Sequence, residues 1–342
     1  MKFRTEIERI PLSRQIDRGE GIMLVGSCFT EHIGQWLQEA WLPVMCNPWG
    51  VLFNPASIAG SLWRVRNEEC GSVRSEEFGN TRRADSEWPE LHALNGRYYS
   101  FDHHGKWSGA DPVALRQQLV ELEQEAAGFL ASAKHVVVTF GTSWVYERED
   151  RIVANCHKFP ASEFVRRKLS VEEIVSMWSE VIEALTVLPL TSASQALNAE
   201  PLTSEKRTFT FTVSPIRHVK DTLHGNQLSK ATLLLAVDEL QRRYPDQVQY
   251  LPVYELLIDD LRDYRFYADD LVHPSSMAVE AVKELFTECA MTPALRQYMK
   301  EAAPIVRGLQ HRPTDPDSEQ YKAFVAELMK KKERLVQLIV NS

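Results

Sequence analysis

Along this chain, short apolar runs stop at a small polar residue and give way to an amphipathic stretch, an arrangement that leaves little choice but a parallel sheet covered by helices. Residues 22–25 are uninterruptedly apolar and stop at Gly26-Ser27, after which residues 29–40 repeat apolar side chains at helical spacing. Residues 43–46 form a second strand, and Asn47-Pro48-Trp49-Gly50 forces a turn ahead of a helical stretch at 55–66. The clearest strand covers 135–140 and stops at Gly141-Thr142-Ser143, after a long helical pattern over 112–133. Residues 208–213 stop at Ser214-Pro215, and 248–253 supply one more short strand. Between them lie helical patterns at 171–185 and 227–243, with 275–289 and 317–339 following. The order predicts a three-layer α/β/α sandwich with a mainly parallel sheet.

Two stretches interrupt the alternation. Residues 67–111 are polar and rich in Gly, His and aromatic residues, with Asn95-Gly96 as a hairpin turn, and read as an insertion. Residues 191–206 carry Ser, Thr, Asn, Glu and Pro without periodicity and read as a surface loop. A second hairpin is expected at 145–154, turning at Glu149-Asp150. The chain thus divides into a body, residues 1–290, and a helical C-terminal extension, residues 291–342. A copy of the C-terminal helix is as eligible a partner for it as its own domain, so a homo-oligomer is compatible with the pattern.

A hydrophobic fraction of 44% and a charged fraction of 25% are those of an ordinary globular protein. The net charge of −8 argues against nucleic acid and anionic membranes as partners, since both require clustered Lys and Arg. The one basic run, Lys330 to Lys332 with Arg334, lies in a Glu-rich helical pattern and reads as a solvated face. Five cysteines without a CxxC pair argue against a disulfide framework or structural zinc, and the His103-His104 pair lacks partner ligands at metal-binding spacing. Val25-Gly26-Ser27-Cys28 imitates a lipoprotein cleavage box, but the charged residues before Ile22 leave no apolar leader segment. A cytoplasmic protein that needs neither metal nor cofactor is the expectation.

Function turns on Ser27. A serine at a strand-to-helix turn projects beyond the carboxyl edge of the sheet, where opening-helix N–H groups face a developing oxyanion. By itself a serine at such a turn is usually a helix cap. Near the other end of the chain, Asp270-Leu271-Val272-His273-Pro274 offers a base: Asp270 lies three residues before His273, within reach of one imidazole nitrogen, leaving the other to take the proton of Ser27. Spacing favours Asp270 over Asp269 as the orienting carboxylate. Both pieces fall just before helices, in the chain order Ser, Asp, His, and the Gly-x-Ser-x-Gly elbow of α/β-hydrolases is absent.

The early Gly-Ser block and late Asp-x-x-His block resemble those of SGNH hydrolases, and Gly26-Ser27-Cys28-Phe29-Thr30 resembles more specifically the GSCFA family within that superfamily. Further stretches carry the same likeness: Asn47-Pro48-Trp49-Gly50 with Asn54-Pro55, Gly141-Thr142-Ser143-Trp144, Asn155-Cys156-His157-Lys158, Ser214-Pro215-Ile216-Arg217-His218, and Asn226 with Ser229-Lys230. The resemblance implies a flavodoxin-like sheet and esterase or acyl-transfer chemistry, with Ser27, Asp270 and His273 as the triad. Two departures stand out. Thr30 replaces the final Ala of the motif, and Ser143 stands where SGNH enzymes place an oxyanion-donating Asn. The missing donor is sought among the backbone of Ser27 and Gly50, Asn54 and Thr142.

Cys28 is the rival nucleophile, but neighbouring residues leaving a strand point to opposite sides, so one of Ser27 and Cys28 faces the base. The resemblance selects Ser27. Arg217 and His218 fall on the same carboxyl edge and suit a carboxylate or phosphate, and Trp49 and Trp144 can wall a pocket for a sugar ring or an acyl chain. The reading is a serine hydrolase or O-acyltransferase acting on a small-molecule or glycan ester. Its contrast is a ligand-binding or scaffold protein that keeps the fold without the chemistry.

Overall fold

The computed structural model describes residues 4–66, 88–186 and 206–340. Strand β1 (Gly21–Gly26) leads into helix α1 (Cys28–Glu39), then β2 (Val44–Cys46) and α2 (Pro55–Arg64). A small antiparallel sheet follows, β3 (His92–Leu94), β4 (Arg97–Tyr99) and β5 (Ser108–Gly109), before α3 (Pro112–Ser132) and β6 (Ala133–Phe140). A second antiparallel sheet contains β7 (Trp144–Arg148), β8 (Arg151–Val153) and β9 (Val165–Lys168). After α4 (Val171–Thr186), β10 (Thr208–Val213), α5 (Thr222–Arg243) and β11 (Val248–Tyr250), the chain ends in helices α6 (Val253–Glu255), α7 (Ser276–Ala290), α8 (Pro293–Gln310) and α9 (Glu319–Val340).

The main sheet has the order β2-β1-β6-β10-β11, and every pairing in it is parallel. Counted along the chain, this is the 2-1-3-4-5 order of doubly wound sheets, whose ligand crevice opens at the carboxyl ends of the first and third strands, here β1 and β6. Alternate residues of β1 serve two cores. Met23 and Val25 pack with α2, α3, α4 and α5 on one face. Ile22 and Leu24 pack with α1, α7 and α8 on the other. Burial on both faces is why the run at 22–25 shows no polar alternation. The three-layer sandwich expected from the alternation is the observed architecture.

Turn chemistry also follows the sequence. Asn95 and Gly96, both at positive φ, join β3 to β4, and Glu149 and Asp150, also at positive φ, join β7 to β8. The structure differs in three places. Strand β9 joins β7 as an added antiparallel strand, although Val165-Arg166-Arg167-Lys168 lacks an apolar alternation to announce it. The last sheet strand stops at Tyr250, because Pro252 and the α6 turn redirect the chain into a wide helical turn, Leu256–Leu261. Helix α5 starts at Thr222, five residues before the apolar periodicity begins. The stretch at 67–87 of the expected insertion, and nearly all of the loop expected at 191–206, lie outside the described residues. No helix among the described residues is long and apolar enough to cross a membrane.

Candidate active site

Glycine at position 26 is dictated by crowding. Gly26 has φ +144°, and a Cβ there would lie 2.3 Å from the carbonyl oxygen of Thr139 in β6. The tight junction ends β1 and turns the chain into α1 with Ser27 at the N-cap position. Asn54, Asp111, Ser275 and Thr292 cap α2, α3, α7 and α8 with side-chain oxygens. Ser27 does not; its Oγ is buried and makes no hydrogen bond. Its N–H donates to Thr139 O at 3.3 Å.

The segment from Asn47 to Asn54 crosses the carboxyl ends of β1 and β6. Asn47 Oδ1 accepts from Gly26 N–H at 2.9 Å, and Leu52 N–H donates to Gly26 O at 3.1 Å. Phe53 O then accepts from Gly141 N–H at 2.7 Å and Thr142 N–H at 3.0 Å. Helix α5 secures the neighbouring strand ends. Lys230 Nζ, wholly buried, donates to Gly141 O at 2.5 Å and Ser214 O at 2.7 Å, and burial lowers its pKa to about 7. Ser229 Oγ accepts from Ser143 N–H at 2.8 Å and lies 3.1 Å from the hydroxyls of Ser143 and Thr142.

The proposed donors are therefore occupied at rest. Gly50 N–H donates to Asn47 O at 2.8 Å, and Asn54 caps α2 while its Nδ2 donates to Ser57 Oγ. Thr142 Oγ1 faces Ser229 and accepts from Trp144 N–H. Ser143, fully buried, belongs to the same network.

Asp270 and His273 form their pair on an exposed hairpin tied by a bridge between Tyr267 and Pro274. Asp270 Oδ2 lies 2.6 Å from His273 Nδ1, and Oδ1 accepts the N–H groups of Val272 and His273, each at 2.9 Å. These bonds, led by the His273 backbone N–H, hold the Asp270 carboxyl down at about 2. Asp270 is the carboxylate hydrogen-bonded to the ring, the residue that spacing favours over Asp269. With Nδ1 facing the carboxylate, Nε2 is left for a second partner. Ser27 Oγ is not that partner in this conformation, since it has none.

The flanking residues take different places. The guanidinium of Arg217 stacks 4.1 Å from the Tyr267 ring and 5.4 Å from that of Tyr264, which ties the end of β10 to the Asp270 hairpin. His218 meets Phe53 edge-on, and burial lowers its pKa to about 4. Trp49 is fully buried in the core under α2 and α3. Trp144 is half-buried beneath the guanidinium of Arg166, 4.2 Å from its ring. Cys28 packs toward the α1 and α7 core, and burial, with Glu31 nearby, raises its pKa. His103 sits in the core with Glu123 and Arg64. Sequence reasoning passed over the roles of Lys230 and Ser229 as fasteners and of Asn47 as the acceptor for Gly26. A lysine in the middle of an apolar helix face was the available signal for the first.

The GSCFA family model matches residues 21–286, and that of the GSCFA domain protein C-terminal domain matches residues 302–340. No curated protein and no solved structure matches the chain.

Proposed function

The chain belongs to the GSCFA family, and on that footing we propose that it is a serine hydrolase or O-acyltransferase of the SGNH type acting on an ester-linked acyl group. One observation carries the proposal: Ser27 Oγ, at the carboxyl end of β1, is the N-cap hydroxyl left without a partner, while an Asp-His pair stands ready on a separate hairpin. The 2-1-3-4-5 strand order and the late Asp-x-x-His block support the SGNH placement.

In the proposed reaction, His273 Nε2 takes the Ser27 proton as Oγ bonds to the ester carbon and the carbonyl π pair moves onto oxygen. Collapse breaks the bond to the alkoxy group, which leaves with the imidazolium proton. Water, or a hydroxyl of an acceptor, then attacks the acyl-serine by the same route in reverse. Asp270, ionised above a pH of about 2, holds the ring tautomer and balances the imidazolium throughout. A small acyl group on a carbohydrate is the proposed substrate class, by superfamily analogy. A second reading has an observation of its own. The enclosed Oγ and its lack of a bond to His273 favour a ligand-binding protein that keeps the fold.

Labelling with a fluorophosphonate, beside hydrolysis of p-nitrophenyl esters of increasing acyl length, separates the two. Label and turnover that vanish in Ser27→Ala support the hydrolase. A wild-type protein that neither labels nor turns over any ester leaves the binding reading.

A further inference from the structure

Asn47 lies against the residue that precedes the nucleophile, and its amide donor has no acceptor. Its N–H donates to Leu24 O at 2.9 Å, which continues the β1-β2 ladder for one residue. The backbone then turns through φ +43°, a conformation Asn tolerates better than most side chains. The turn replaces a backbone carbonyl with a side-chain one: Oδ1 accepts from Gly26 N–H. That bond fixes the amide, so the free end is Nδ2, the donor. Nδ2 is buried and unpartnered, in a residue only 2% exposed.

Ser27 follows Gly26 directly, and its Oγ is likewise buried and unpartnered. An orphaned donor and an orphaned nucleophile, held by the same glycine, lack one thing in common: a group that accepts from the first and bonds to the second. The carbonyl of an ester is such a group. The backbone carbonyl of Asn47 accepts from Gly50 N–H at 2.8 Å and Lys106 Nζ at 3.3 Å, which pins the turn, and the Oδ1 bond to Gly26 N–H then holds the side-chain amide in place before any substrate arrives.

We propose that Asn47 Nδ2 is the side-chain donor to the oxyanion formed when Ser27 attacks, taking the role that Ser143 cannot fill. The inference rests on the serine-hydrolase reading above. When the Ser27 Oγ bonds to carbon and its proton passes to His273, the electron pair moved to the carbonyl oxygen is met by Nδ2–H. Asn47 thereby recognises a carbonyl or phosphonyl oxygen. Thr30 Oγ1, one turn into α1, is the other buried hydroxyl without a partner nearby and is the competing donor.

The test uses the full chain. Asn47→Asp keeps an oxygen for Gly26 N–H and removes the donor, so it separates catalysis from support of the turn. Expected are a fall in kcat of about 100- to 1,000-fold with KM little changed, slower phosphonate labelling, and a folded protein; Thr30→Val retains wild-type kcat. An Asn47→Asp protein with wild-type kcat, or loss confined to Thr30→Val, overturns the inference. Should Asn47→Asp fail to fold, the structure of the wild-type phosphonyl-Ser27 adduct decides. It is expected to place the phosphonyl oxygen about 2.7–3.1 Å from Nδ2, and an oxygen held by other groups instead overturns it. Wild type that takes no phosphonate on Ser27 sinks the hydrolase reading and this inference with it, whereas labelled wild type with an indifferent Asn47 sinks the inference alone.

Discussion

The carboxyl ends of β6 and β10 and those of β1 and β2 lie on one edge of one sheet, yet their polar groups are satisfied to different degrees. At the first, Lys230 bridges the carbonyls of Gly141 and Ser214 and Ser229 gathers Thr142 and Ser143 around one hydroxyl, so that of the hydroxyls there Thr212 Oγ1 in β10 is left unpaired. At the second, Ser27 Oγ, Thr30 Oγ1 and Asn47 Nδ2 are buried without partners. A buried polar group left unpaired costs about 1–3 kcal/mol, so a fold keeps several together only where something else benefits. The bonded end fastens the strand-end loops, and at the other end Ser27 Oγ and Asn47 Nδ2 are the groups with interactions to gain from a ligand.

Replacing Ser27 should give the largest effect and the sharpest form of the contrast. Ser27→Ala is expected to lower ester turnover by roughly 10,000-fold or more. It removes a buried hydroxyl that has no partner, so its melting temperature, read by calorimetry, should equal or exceed that of wild type. A large loss of stability instead would mean that Ser27 is structural. Next comes Asp270→Asn, which lets the imidazole take the wrong tautomer and should cost about 10,000-fold in kcat. The pair is half-exposed, so thermal stability should hardly move. Unchanged turnover in Asp270→Asn would remove the hairpin from the mechanism.

Much of the bonded scaffold was legible in the sequence. The strand segments break off at Gly-Ser, Gly-Thr and Ser-Pro, small and turn-forming residues that mark where the chain leaves the sheet; β1 is apolar throughout because both its faces are buried, whereas β10 buries alternate threonines. The Asp270–His273 pair was legible for a local reason: three residues of spacing in a tight turn suffice to bring Oδ2 to Nδ1. Long-range polar pairings were not. That Lys230 reaches two strand ends, and that Asn47 substitutes its amide for a backbone carbonyl, depend on the order of the strands, and no local pattern encodes it. Trp49 shows the converse. Its place in a Pro-Trp-Gly turn suggests a pocket wall, but the turn folds inward over α3 and the indole becomes core.

The bonded end makes its own prediction through Lys230. Lys230→Met deletes both hydrogen bonds, leaving Ser214 O without this donor and Gly141 O with only the His218 ring, which should cost about 1–3 kcal/mol in urea unfolding. The wild type should also show a pH signature that the variant lacks. Burial lowers the folded-state pKa to about 7 from 10.5, so between these values the unfolded chain binds the extra proton. Stability contributed by this group therefore rises with pH across the window, by at most about 1.4 kcal/mol per unit. Equal pH slopes in wild type and Lys230→Met from pH 7 to 9 would show that the ammonium is not held as the structure has it.

The smallest expected effect lies beside the largest. Cys28 follows Ser27 in the chain, but it packs with the α1 and α7 side of the sheet, and burial keeps its thiol protonated well above neutrality. A protonated thiol is a poor nucleophile, and one turned into an apolar layer cannot share the base proposed for Ser27. Cys28→Ala should leave kcat within about twofold of wild type and, for a half-buried side chain, lower stability by about 1 kcal/mol or less. Iodoacetamide at neutral pH should spare activity for the same reason. Inactivation by iodoacetamide that Cys28→Ala abolishes would place the thiol at the reacting centre, and the unpartnered hydroxyl of Ser27 would then mark a cavity and not a nucleophile.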